Sequence, residues 1–136
     1  MKILLGAAFA LVTFPALAAT PVTGKWITAE KDSIIEIGAC GDKVCGRVLR
    51  VMKMMSNGKM PLDANNPDPA LRDRSVQGMT ILSGFTDGGS LWNGRIYDPK
   101  SGKTYKSKLT RNPDGTLKVQ GCIGFLCKAY TWTAVR

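Results

Sequence analysis

Four cysteines are the side chains best placed to do chemistry in this chain. "ACGDKVCGR" sets Cys40 before Cys45, and "GCIGFLC" repeats the same C-x₄-C spacing at Cys122 and Cys127. Zinc sites favour closer thiol pairs and often recruit histidine, and the sequence contains 0 His. A dithiol redox centre normally reads C-x-x-C at a helix start. An even count of cysteines in local pairs instead predicts disulfides, Cys40 to Cys45 and Cys122 to Cys127.

Other candidate chemistry is sparse. With no imidazole and with thiols tied up, acid–base work would fall to Asp, Glu, Lys or Tyr. No pair of carboxylates sits in a recognisable frame, and Glu36, alone inside the apolar run "SIIEIGA", is most simply a residue turned to water. No catalytic set, no cofactor and no metal site is therefore expected. Asp63, Asn65 and Asp68 in "DANNPDP" have a spacing reminiscent of calcium ligands, but Pro67 interrupts it and no acidic closing residue follows. Asx-turn chemistry, shared with Asn66, explains the stretch better. Met52, Met54, Met55 and Met60 crowd into "VMKMMSNGKM". Methionines of this kind either hold Cu(I) or form an adaptable apolar lining, and the lack of histidine favours the lining.

Compartment follows from the amino-terminal segment. Lys2, an apolar run from Ile3 to Phe14 and the small-residue pattern Ala16-Leu17-Ala18 give the layout of an export signal cleaved after Ala18 or Ala19. The run falls short of the roughly 20 residues that a membrane span needs, and Pro15 breaks it. The expectation is a signal peptide over 1–18, then a single domain over 19–136 in the periplasm or secreted. The net charge of +9 then points to no nucleic acid partner, but to a solvated surface, an anionic envelope component or a protein partner.

The elements that must position these residues are strands. Runs rich in β-formers occupy 24–29, 33–39, 44–52, 79–85, 90–97, 103–110, 116–122 and 126–135, with "TDGG", "DPKSG" and "NPDG" reversing the chain between several of them. In 103–110, Tyr105, Ser107 and Leu109 alternate with Thr104, Lys106 and Lys108, which predicts one packed face and one wet face of an antiparallel sheet. About eight strands at this spacing close into a barrel or stack as a sandwich. If Asp42-Lys43 and Gly124-Phe125 are two-residue turns, each cysteine pair lies directly across its hairpin, at Cα separations of about 4.5 Å.

"GKW" opens the first strand and "YTWTAVR" closes the last. With "CGRV" at 45–48, "DANNPDPALRDRSVQGMTIL" at 63–82 and "WNGRIYDPKSGKTY" at 92–105, the chain resembles the exported bacterial family known as domain of unknown function 2147 over nearly all of 24–133. The resemblance implies an all-β, antiparallel lipocalin-like (calycin) barrel, with one long loop between strands three and four. It also implies barrel closure by an arginine stacked on the G-x-W indole. Ala134 follows the "TWT" directly, so Trp26, Trp132 and Arg136 are assigned to closure, Arg136 sharing a strand face with Trp132.

The expected ligand is a small lipophilic molecule in the barrel, lined by Ile35, Leu49, Val51, Trp92, Ile96, Tyr105 and Leu109, with Gly94 leaving room for it. Over the mouth lies a loop from Met54 to Gln77 containing Asp63, Asn65, Asn66, Asp68, Arg72 and Arg74. The two arginines either pin a helical turn there or meet an anionic head group. A protein-binding module using the basic strand 103–111, and a methionine-based copper carrier, are the competing classes.

Overall fold

The computed structural model describes residues 3–11 and 17–136, so the reading of an export signal falls partly on residues outside those described. Each run of β-formers becomes a strand: β1 Gly24–Ile27, β2 Ser33–Cys40, β3 Lys43–Val51, β4 Thr80–Asp87, β5 Trp92–Asp98, β6 Lys103–Arg111, β7 Leu117–Ile123 and β8 Leu126–Ala134. Every strand pairs antiparallel with the next, and β1 pairs with β8 to close the barrel. Closure leaves few free edges and turns one face of every strand into a common interior. Among the described residues helix is confined to a 3₁₀ turn, Pro69–Leu71, within the long connection from β3 to β4. None of the described helices is long and apolar enough to cross a membrane.

The interior divides into a packed half and an open half. In the packed half, Trp26, Phe85, Leu82, Leu109 and Leu117 are all 0–1% exposed. The segment before β1 closes this end. Val22 is buried, and its carbonyl accepts the Trp26 indole N–H at 3.0 Å, while the Thr20 carbonyl accepts that of Trp92 at 2.9 Å.

The arginine over Trp26 is not Arg136. Arg111 holds its guanidinium carbon 5.2 Å from the Trp26 ring centroid, whereas Arg136 lies exposed beyond the end of β8. The alternation that turns Ser107 and Leu109 inward carries Arg111 to the same face, so the closing cation comes from β6. Trp132 is buried where core and cavity meet and does not belong to this closure.

Both disulfides form within hairpins. Cys122 lies directly across from Cys127, and Gly124 takes φ 58° at the first turn position, as a II′ turn requires. In the first hairpin the turn falls one residue earlier than expected. Gly41, at φ 63°, and Asp42 make it, so Cys40 pairs with Lys43, and Cys45 with Gly38. Cys40 and Cys45 are thus diagonal neighbours on one face, with Cα atoms 5.7 Å apart. Closing so short a loop stabilises by about 2 kcal/mol. Reducing either bridge should therefore lower the unfolding free energy by that amount, and the urea midpoint with it; an unchanged midpoint would show the bridges to be energetically idle.

Candidate functional site

The open half of the barrel encloses a cavity of about 1220 Å³. Its wall is built from inward-facing residues of seven strands, β2 to β8, including Ile35, Val48, Ile81, Ile96, Val119 and Trp132. Continuous apolar surface of this kind holds an apolar guest and offers water few partners. At the rim, Met54, Met55, Leu62, Ile123 and Leu126 are 45–72% exposed around the opening.

Of the expected lining residues, Ile35, Val51, Ile96 and Tyr105 do face this space. Four others do not. Leu49 is displaced by a β-bulge: Ile35 pairs with Val48 and Ile34 with Arg50, so Leu49 is the extra residue, and Val48 takes the inward position. Trp92 and Leu109 belong to the packed half, beside the closed end. Gly94 does not leave free space. A Cβ there would stand 2.6 Å from the Phe85 ring and 2.7 Å from the Ser83 carbonyl oxygen, so the missing side chain makes room for Phe85. The glycine that does border the cavity is Gly121, whose nearest neighbour to an added Cβ is Ile96 at 4.0 Å.

The long connection is pinned by a buried carboxylate. Asp63 is 0% exposed and accepts from the Tyr97 hydroxyl at 2.6 Å, the Asn66 amide at 2.7 Å and Arg74 Nε at 3.0 Å. Burial alone would raise its pKa, but these three donors and the Arg74 charge outweigh it and hold the carboxyl below its ordinary range. Burial and the Asp63 carboxylate push the Tyr97 phenol up to about 12. Arg72 Nε donates to the Asn66 carbonyl at 2.8 Å, Asp68 caps the 3₁₀ turn through the Ala70 N–H, and Asn65 reaches the Lys100 carbonyl at 2.8 Å. Between the two roles open to the arginines, the geometry selects pinning: neither lines the cavity. Tyr97 was absent from the expected site because its partner is distant in sequence.

A second charged group sits at the mouth. Lys100 on the β5–β6 turn donates to Glu30 at 2.6 Å and to Asp32 at 3.0 Å, tying that turn to the β1–β2 loop. Hydrogen bonds that Lys100 donates to both acids raise its pKa; Asp32, despite partial burial, is held low by Thr28 and Lys100. The methionines divide among different surroundings: Met54 and Met55 line the mouth, Met60 packs against the core, and Met52 is exposed outside the lining. Among the described residues no group of three or more His, Cys, Asp or Glu is arranged to hold a metal.

β8 supplies residues that were not anticipated. Leu126, Lys128, Tyr130 and Trp132 alternate along it and all border the cavity. Extending the inward parity of Trp132 back along the strand would have found them.

Comparison with known proteins agrees with this architecture. Residues 24–134 match a family described as "Uncharacterized protein conserved in bacteria (DUF2147)". No curated protein matches the sequence. Among solved structures, the chain is similar to protein HP1028 from the human pathogen Helicobacter pylori, described as belonging to the lipocalin family. The TM-score is 0.74 at 25% identity, over 87% of this chain and 85% of that one.

Proposed function

Since the chain belongs to the DUF2147 family of uncharacterized bacterial proteins, which has no activity to lend it, we propose from the cavity itself that this protein binds one small lipophilic molecule. The observation that carries the reading is the division of the barrel. One half is filled by Trp26, Phe85, Leu109 and Leu117, while the other keeps an apolar space of about 1220 Å³ open at one end. A barrel stabilised by its packed half can leave the other half unfilled without losing its fold. An apolar molecule entering this space gains by leaving water, and the exposed rim gives it a surface to meet first. The lipocalin-family likeness of the fold supports the same use. The local disulfides fit an oxidising compartment, which supports work outside the cytoplasm on a ligand carried through water.

Native mass spectrometry of protein purified from its producing cell tests this, together with titration by a neutral fluorescent lipophile such as N-phenyl-1-naphthylamine. The expected result is a small apolar adduct, or saturation at one probe per chain with quenching of the cavity tryptophan, Trp132. Absence of both adduct and saturable probe binding would refute the proposal.

A further inference from the structure

We infer that the ligand is amphipathic, a single apolar chain ending in an anion, and that Lys128 receives the charged end. This rests on the reading of the cavity as a lipophile site. Lys128 lies on the inner face of β8 directly across from Gly121, which has no side chain to cover it. Its ammonium stands 5.4 Å from the centroid of the Tyr130 ring, which itself lines the cavity.

Three lysines border this space, Lys53, Lys100 and Lys128. Lys100 is held by Glu30 and Asp32, and Lys53 donates to the Glu30 carbonyl at 3.0 Å. The remaining acid of the lining, Asp98, is turned into its own β5–β6 turn, accepting from the Lys100 N–H and the Ser101 hydroxyl. Among the described residues the Lys128 ammonium has neither a carboxylate within ion-pair distance nor a side-chain hydrogen bond.

Its position suits a head group. β1 ends at Ile27 and meets β8 at Trp26↔Ala134 and Ile27↔Thr133, so β8 from 126 to 131 has no partner on that side and stays exposed. An anion burying itself in the apolar floor would lose its hydration without compensation. An anion at Lys128 stays wet while its chain descends past Tyr130 and Val119 toward Trp132. Because the pair is exposed, its contribution is modest and screened by salt.

The test compares dodecanoic acid, its methyl ester and dodecyl phosphate as displacers of the neutral probe, in the parent protein and in Lys128→Met. We expect either anion to bind about two- to fivefold more tightly than the ester in the parent. In Lys128→Met the anions should fall to the level of the ester, whose own affinity should not change. The order of the two anions then tells a carboxylate ligand from a phosphate one. Equal affinity of anions and ester in the parent, or an anion preference that survives Lys128→Met, would overturn this assignment and leave lipophile binding standing. If the probe fails to bind and no apolar adduct is found either, the proposed function falls instead.

A separate observation carries a second inference: Ala19 becomes the amino terminus of the exported chain, and Asp87 is its receptor. The Ala19 N–H donates to both carboxylate oxygens of Asp87, at 3.0 and 3.2 Å, and Ala19 is 5% exposed, whereas Leu17 is 89% exposed. Hydrolysis of the Ala18–Ala19 bond by an export peptidase adds one water, leaving a carboxylate on Ala18 and an α-ammonium on Ala19. That ammonium would keep the Asp87 contact and gain a charge-assisted pair, as a terminus at Thr20 would not. Intact-mass and amino-terminal sequencing of the exported protein should find Ala19 first. Asp87→Asn should lower the melting temperature more in that chain than in the same chain acetylated at Ala19. A start at Thr20, or equal effects in both chains, would refute it.

Discussion

Gly94→Leu is expected to destabilise the protein by about 3 kcal/mol or more, at or beyond the upper end for overpacked cores. The first added carbon already falls 2.6 Å from a Phe85 ring carbon and 2.7 Å from the Ser83 carbonyl oxygen, and three further carbons must follow it. Phe85 is 0% exposed and packed in the core, and the Ser83 oxygen belongs to the β4 backbone. Urea denaturation measures the effect. A near-native midpoint would show that the space beside Gly94 is empty and that the cavity extends through the whole barrel.

Asp63→Ala should be nearly as damaging, about 3 kcal/mol, because it leaves the Tyr97 hydroxyl, the Asn66 amide and the Arg74 guanidinium without their shared acceptor. The loss should concentrate in the connection over the mouth. The Asp63 N–H donates to the Arg74 carbonyl at 2.9 Å and the Val76 N–H to that of Pro61 at 3.0 Å, so hydrogen exchange at these amides should accelerate in the variant.

The same group gives stability a defined pH dependence. The Asp63 pKa is depressed in the fold, so its contribution is present above the unfolded value near 3.9 and disappears as pH falls through the folded value. Tyr97 is raised to about 12, so its contribution is present below pH ~10 and disappears between about 10 and 12. Tyr97→Phe should remove this share of the alkaline loss and leave the share that belongs to Lys100, whose pKa is also raised. Unaltered alkaline behaviour in that variant would mean the phenol does not hold the loop.

The strands were legible because local chemistry decides them. β-branched and aromatic runs separated by Asp, Pro and Gly give the same elements whatever packs against them, and all eight appear. The alternation in β6 survived intact because β6 carries no bulge; its register against β5 and β7 is regular throughout. Leu49 failed because a bulge changes parity, and nothing in "VLRV" marks where the extra residue falls. Gly94 failed for a different reason: an absent side chain creates space, but only the neighbouring strand decides whether a ligand or Phe85 uses it. The Arg111 closure was within reach, two residues beyond Leu109 on a face already assigned. The partnership of Asp63 with Tyr97 was not, since it joins residues 34 apart through a fold the local pattern does not determine.

Gly121 offers the sharpest way to tell whether the open half of the barrel is a ligand site or unfinished core. It lines the cavity without a left-handed backbone angle, and an added Cβ meets nothing closer than Ile96 at 4.0 Å. Gly121→Leu therefore projects new volume into free space and should leave the melting temperature equal to or above that of the parent, in contrast to Gly94→Leu. The measurement is saturation binding of the neutral lipophile to parent and Gly121→Leu, read from Trp132 fluorescence with thermal unfolding in parallel. One site is expected in the parent, with at least a tenfold loss of affinity in the intact variant, about 1.4 kcal/mol. Undiminished binding to a fully folded Gly121→Leu protein would contradict the ligand-site reading.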